Sequence, residues 1–264
     1  MNSVRYCDSH AHLTCDKLFG DCPEILARAQ TAGIAAIINI CTDIVTLQRG
    51  IDLHKSYPWM YNAAATTPHD VEKEGELHFG TIEAAAHGGQ LVAIGETGLD
   101  YYYRHAAPEL QQHFLRRYLQ LAVECNLPLI IHCREAFSDF FKILDSIQQS
   151  GGKLPSGVLH CFTGSATEAR ELLARGWTLS FSGIVTFKKS QELLAIAAET
   201  PLDRMLIETD SPYLAPQNHR GHTNEPSFVP EVAAAIGAAK GLSSSEVAAA
   251  TFRNTINIFN LDIQ

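Results

Sequence analysis

No CxxC pair occurs among the seven cysteines, an odd number set mostly in apolar stretches, so a disulfide framework is excluded and buried free thiols are expected. A glycine-rich dinucleotide fingerprint and a Walker motif are also missing, which leaves no competing nucleotide-cofactor chemistry. The longest apolar runs, such as Gly33 to Ile38, fall far below a membrane span. Residues Met1 to Arg5 lack the apolar core of a signal sequence, and a cytoplasmic protein with no membrane partner is expected. Positive charge is scarce: 20 Lys and Arg against 29 Asp and Glu give a formal −9, which argues against general adhesion to nucleic acid or anionic membrane. A polyanionic substrate would need that charge offset locally.

What is present is ample core material, with 46% hydrophobic and 19% charged residues in 264. Eight short β-rich runs are predicted as strands: Val4 to Cys7, Ala35 to Cys41, Tyr61 to Thr66, Leu91 to Gly95, Leu127 to His132, Gly157 to Cys161, Thr178 to Ser182 and Met205 to Glu208. Helical periodicity fills the intervals near residues 22–33, 43–57, 72–88, 108–125, 135–150, 166–176 and 190–199. Pro108 suits the first turn of one helix and Asn126 its exit, while Ser243 and Glu246 form a capping box opening the run Val247 to Phe259. Strict alternation implies right-handed βαβ units and a parallel sheet. No linker or repeat divides the chain, so an α/β fold of one domain over residues 1–264, a (β/α)8 TIM barrel, is favoured over a doubly wound sheet.

The strongest local signal is Asp8-Ser9-His10-Ala11-His12, directly after the first predicted strand. In extended chain, residues two apart share a side, so His10 and His12 can offer both imidazoles to one ion. Glu96, His132, His160 and Asp210 each lie at the C-terminal end of another predicted strand, and in a parallel barrel those ends converge on the catalytic face. Singly, a strand-end histidine serves structure and an Asp before Ser-Pro caps a turn. Together, four histidines and two carboxylates on five βα units point to a metal centre. Six mixed nitrogen and oxygen ligands exceed the needs of one tetrahedral ion with an open position, and match two ions sharing a carboxylate. Such a pair, about 3.5 to 4 Å apart, suits hydrolysis of a phosphodiester.

The sequence resembles the TatD-type metal-dependent deoxyribonucleases, a branch of the amidohydrolase-like barrels. The matching blocks are Asp8 to Leu13, Gly95 to Tyr101, His132 to Glu135, His160 to Gly164, Ser182 to Phe187, Glu208 to Leu214 and Asn224 to Pro226, in order along nearly the whole chain. The resemblance implies one ion on His10, His12, Glu96 and Asp210, a second on Glu96, His132 and His160, and Glu96 as the bridge. It also implies dependence on two divalent ions, with Mg²⁺, Mn²⁺ or Zn²⁺ all compatible with the donor set. Asp210 is the candidate proton acceptor for the attacking water. Asp8 is read as orienting a ligand.

Arg104, Arg134 and Arg220 are candidate phosphate contacts, Tyr101 and Tyr103 candidate base-stacking rings, and His69, His219, His222 and Lys188 weaker candidates. Where the family often reads Gly-x-His-Pro, this chain has Ala65-Thr66-Thr67-Pro68-His69, with Thr67 in the usual His position and a His just beyond it, so a substrate contact differs there. The leading expectation is a 3′-to-5′ exonuclease acting on DNA, preferably at single-stranded ends. The alternatives are hydrolysis of a small ester, amide or aminoacyl-tRNA bond, and a non-catalytic interaction protein that would have lost its ligands. Oligomeric state is left open, a monomer being compatible with everything in the sequence.

Overall fold

In the computed structural model residues 4–263 are described. Met1, Asn2, Ser3 and Gln264, which the sequence reading includes in its single domain and N-terminal segment, lie outside the described residues. All eight expected strands form: β1 (Tyr6–Ala11), β2 (Ile34–Cys41), β3 (Met60–Ala64), β4 (Ala93–Asp100), β5 (Leu129–Arg134), β6 (Gly157–Leu159), β7 (Thr178–Phe181) and β8 (Met205–Ile207). They pair in parallel, in chain order. Around them lie α1 (Asp16–Phe19), α2 (Cys22–Thr31), α3 (Ile44–Ser56), α4 (Val71–His87), α5 (Pro108–Cys125), α6 (Phe137–Gln149), α7 (Ala166–Ala174), α8 (Gln191–Glu199), α9 (Val229–Lys240) and α10 (Ser244–Phe259). The TIM barrel is confirmed, nearly closed where β8 returns to β1. At that seam the Asp210 N–H donates to the His10 carbonyl at 2.9 Å and the His12 N–H to the Ser211 carbonyl at 2.7 Å.

Two apolar layers hold the barrel. Small and branched aliphatic residues fill its interior, among them Cys7, Ala36, Ile38, Ala63, Ala93, Ile130, Val158 and Leu206. Phe259 and Leu261, at and just after the end of α10, join this cluster beside the first residues of the strands and cap that end of the barrel. Burying a ring such as Phe259 contributes about 1.5 to 3 kcal/mol. The opposite faces of the strands, with Ile37, Ile94, Leu129 and Ile207, pack under the helices. All seven cysteines are free, and among the described residues no helix is long and apolar enough to cross a membrane.

Three strand boundaries depart from the sequence reading for one reason. β1 runs on to Ala11, β4 to Asp100 and β5 to Arg134, because backbone pairing continues past the apolar run while polar side chains turn towards the barrel mouth. The register of β4 against β5 gains one residue between Ile94 and Thr97, and β1 against β2 gains one between Asp8 and Ala11. A bulge re-aims the side chains within it, and these two contain Glu96 and His10. The sequence reading also passed over α9, whose alanine-rich stretch shows little contrast between its faces. Its signals were Pro230 in the first turn and Gly241 at the left-handed C-cap. The α10 capping box and the left-handed Asn126 exit of α5 are as expected.

Gly98, just past the β4 bulge, has φ 143°, and the His132 carbonyl occupies the space a Cβ would need. Backbone strain and overpacking each cost about 1 to 3 kcal/mol. Gly98→Ala is therefore expected to destabilise the protein by about 2 to 4 kcal/mol, read from its thermal unfolding midpoint; an unchanged midpoint would show that β4 and β5 are free to separate.

Candidate metal centre

Glu96, 7% exposed, stands between four imidazoles. Its Oε1 lies 2.9 Å from His160 Nε2 and 3.1 Å from His132 Nδ1; its Oε2 lies 3.4 Å from His10 Nε2 and 3.7 Å from His12 Nε2. Asp210 Oδ1 completes the first side at 3.4 Å from His12 Nε2 and 3.6 Å from His10 Nε2. Asp210 sits in the left-handed region at φ 61°, which side chains seldom adopt. Two groups of donor atoms share Glu96, His10 with His12 and His132 with His160; a further group joins His10 and His160, whose rings stack at 3.8 Å, to Asp210.

These atoms fit divalent ions. Zinc–nitrogen bonds of about 2.0 to 2.1 Å in a tetrahedron leave neighbouring donors about 3.3 Å apart. His10 Nε2 and His12 Nε2 are 3.2 Å apart, and their carboxylate neighbours are near the outer limit of a hydrogen bond but at the spacing of co-ligands. His10 Nδ1 is buried without a hydrogen bond, and His160 Nδ1 faces only the Glu208 carboxylate, 3.5 Å away.

The electrostatics follow from the same crowding. Burial alone would raise the Glu96 carboxyl, but the charge of His160 and hydrogen bonds from His10, His132 and His160 hold it well below the usual carboxylate range. Burial likewise opposes charge on Asp210, where His12 and His10 prevail and hold it down. Burial lowers His10, with His160 adding to the effect. For His132 and His160 burial also disfavours the proton, yet the flanking carboxylates overcome it and raise both. The centre is thus two ionised carboxylates in a ring of imidazoles that compete for positive charge.

A set of buried carboxylates braces the ligands from behind. Asp100, fully buried, accepts a hydrogen bond from His132 Nε2 at 2.8 Å, which leaves Nδ1 facing Glu96. Glu208 lies 3.5 Å from His160 Nδ1 while accepting from the Cys161 N–H at 2.6 Å and Ser180 Oγ at 2.5 Å. Asp8 acts through backbone, accepting from the His10 N–H at 3.2 Å and the Thr209 N–H at 2.9 Å; burial pushes its carboxyl up to about 8. Sequence reasoning singled out Asp8 but not Asp100 or Glu208. Their signal was a carboxylate at the end of an apolar strand, where an unpaired charge is costly.

A cavity of about 980 Å³ opens over the centre, lined among others by His69, Tyr103, Arg134 and Tyr213. Arg134 lays its guanidinium 3.9 Å over the Tyr102 ring and makes no hydrogen bond or ion pair with the described residues. His69 is committed to Asp100 Oδ2 at 2.9 Å. Because that oxygen also accepts from His132, the three groups form a hydrogen-bonded network. Tyr101 does not reach the cavity: its hydroxyl donates to Asp139 at 3.0 Å and accepts from Gln112 at 2.8 Å. Arg104 turns back to the Tyr101 carbonyl, Arg220 covers the Phe187 ring, and His219 pairs with Glu231, so local partners draw all three away from the lining. Lys188 and His222 are exposed and also lie outside it. Thr67, in the altered position, lines the cavity with its hydroxyl on Asp70 at 2.7 Å.

Comparison with known proteins places this arrangement in a family context. The sequence model described as TatD related DNase matches residues 7–260. The chain is 36% identical to an uncharacterized metal-dependent hydrolase, YabD, of Bacillus subtilis over 255 residues, covering 97% of this chain and 99% of that protein. It is 33% identical to the 3′-5′ ssDNA/RNA exonuclease TatD of Cronobacter sakazakii over 257 residues, covering 96% and 97%. Among solved structures, that of YJJV, a TatD homolog from Escherichia coli, superposes with a TM-score of 0.89 at 28% identity, covering 98% of this chain and 99% of that one.

Removing a brace of this kind typically costs 10- to 100-fold in metal affinity. Asp100→Asn is accordingly expected to weaken Zn²⁺ or Mn²⁺ binding by about 10- to 100-fold in a calorimetric titration. Wild-type affinity in that variant would show that His132 needs no carboxylate behind it.

Proposed function

The chain belongs to the TatD related DNase family of metal-dependent hydrolases, and from that membership we propose that it is a two-metal phosphodiesterase that trims DNA from 3′ single-stranded ends. The observation that carries this reading is the divided carboxylate of Glu96, one oxygen towards His10 and His12 and the other towards His132 and His160. His10, His12, Glu96 and Asp210 would hold one divalent ion and Glu96, His132 and His160 a second, with Mg²⁺, Mn²⁺ or Zn²⁺ as candidates. When bound, the pair supplies Lewis-acid stabilisation for the attacking and leaving oxygens of an in-line displacement.

The protein's own residues do the rest. Asp210, held ionised at the cavity floor, takes the proton of the attacking water. Arg134, with its nitrogen edges unclaimed, receives a phosphate oxygen. The name of the Cronobacter relative supports a nucleic-acid substrate, and a recessed mouth admits a frayed single strand more readily than a duplex. Two divalent ions would bring +4 against −2 from Glu96 and Asp210, but Asp100 and Glu208 stand behind the ligands and Asp70, Glu135 and Glu168 line the cavity, so the grip on a phosphate falls to the ions and Arg134 directly. The reading is of one cytoplasmic hydrolase unit spanning the chain.

With an end-labelled single-stranded oligonucleotide and added Mg²⁺ or Mn²⁺, shortening from the 3′ end is expected, and chelator should abolish it. Asp210→Asn should lower kcat by about 10²- to 10⁴-fold, and His132→Ala should reduce activity strongly. If metal-loaded protein releases no mononucleotide yet cleaves small esters or lactones assayed in parallel, the phosphodiesterase reading is wrong.

A further inference from the structure

Few large apolar side chains are markedly exposed among the described residues: Val4, Val45, Leu77, Tyr102, Tyr103 and Tyr213. Of these, Tyr103 and Tyr213 line the cavity over the metal centre, at 50% and 56% exposure. They adjoin different histidines of it. Tyr213 meets His12 edge-on at 6.1 Å. Tyr103 meets His69 edge-on at 5.6 Å, and His69 in turn meets His132 at 5.3 Å. The order across the mouth is therefore Tyr213, His12, Glu96, His132, His69, Tyr103.

The backbone of each tyrosine is tied to residues of the centre. The Tyr213 N–H donates to the Asp210 carbonyl at 2.8 Å, and the Tyr213 carbonyl accepts from Asn224 at 2.6 Å. The Tyr103 N–H donates to Asp100 Oδ1 at 2.8 Å, and the other oxygen of that carboxylate holds His132. Neither phenol hydroxyl bonds to any described residue. Tyr213 has only His12 against its ring, whereas Tyr103 also carries His105 offset-stacked at 5.8 Å, Tyr102 at a right angle at 4.9 Å and Arg134 4.8 Å from its centroid; each side chain still keeps about half of its surface exposed.

We propose that Tyr213 and Tyr103 are base-stacking platforms on either side of the centre, holding the two nucleobases that flank the bond being cut; this rests on the phosphodiesterase reading above. Tyrosine suits the task because its ring is large and has few torsions to immobilise. Its π-face accepts any base, so grip is gained without sequence preference. Arg134, stacked on Tyr102 beside Tyr103, adds a cation for the intervening phosphate.

The test measures kcat/KM on a single strand with normal bases and on the same strand with abasic residues at its last two positions, for the wild type, Tyr213→Ala and Tyr103→Ala. Stacking of about 1 to 3 kcal/mol per base predicts a loss of about 5- to 100-fold for each variant on the normal strand. Removing the facing base should cost the wild type as much, and the two losses should not add. Phe variants should keep the preference for the base-bearing strand. Equal wild-type rates on both strands would overturn the platforms, as would Ala losses of the same size on the abasic strand. In either case the phosphodiesterase reading survives. No cleavage of either strand by metal-loaded protein that cleaves small esters would overturn that reading and the platforms with it.

Discussion

A single carboxylate facing four imidazoles is the constraint around which this barrel is organised. Glu96 is almost sealed from water, and a charge so placed is tolerable only when paired on every side. The histidines answer it from β1, β5 and the turn after β6, and the rings must then be held against rotation. That is the work of Asp100 and Glu208, themselves buried charges needing donors. The demand passes outward to the Tyr102 and Tyr103 amides, the Cys161 amide and Ser180, which satisfy it with neutral groups. Electrostatic cost thus decreases shell by shell until it reaches ordinary backbone.

The same residues close the barrel. The seam between β8 and β1 has few ladder bonds of its own, and its contacts are made by His10, His12, Asp210 and Ser211 backbone and by Asp8 across to Thr209. The backbone contacts that close the seam are thus the ones that hold Asp210 beside His10 and His12.

Much of this was legible beforehand. Alternating apolar runs gave the strand count and order, and strand-end polar residues pointed to the six His, Glu and Asp side chains that cluster, because period and polarity are read directly from the order of residues. Exact strand ends were not, since Ser9, Glu96 and Asp100 look like loop residues until the bulges are seen. Bulges leave no periodic trace: one added residue in β4 decides that Glu96 meets the histidines, and only register reveals it. Tyr101 and Tyr103 are equivalent as sequence, yet one is pulled into the packing by Asp139 and Gln112 while the other stays at the mouth. Asp100 and Glu208 sat inside the matched blocks without an assigned role, because a brace is defined by what stands in front of it.

Phe259 and Leu261 join the apolar residues that fill the barrel interior beneath the cavity, so the barrel is a packed core and not a channel. A nucleic-acid strand cannot thread through such a vessel, and whatever is cut off must leave by the opening through which the strand came in. For the proposed nuclease, the incoming strand and the outgoing product then share the mouth above the metal centre.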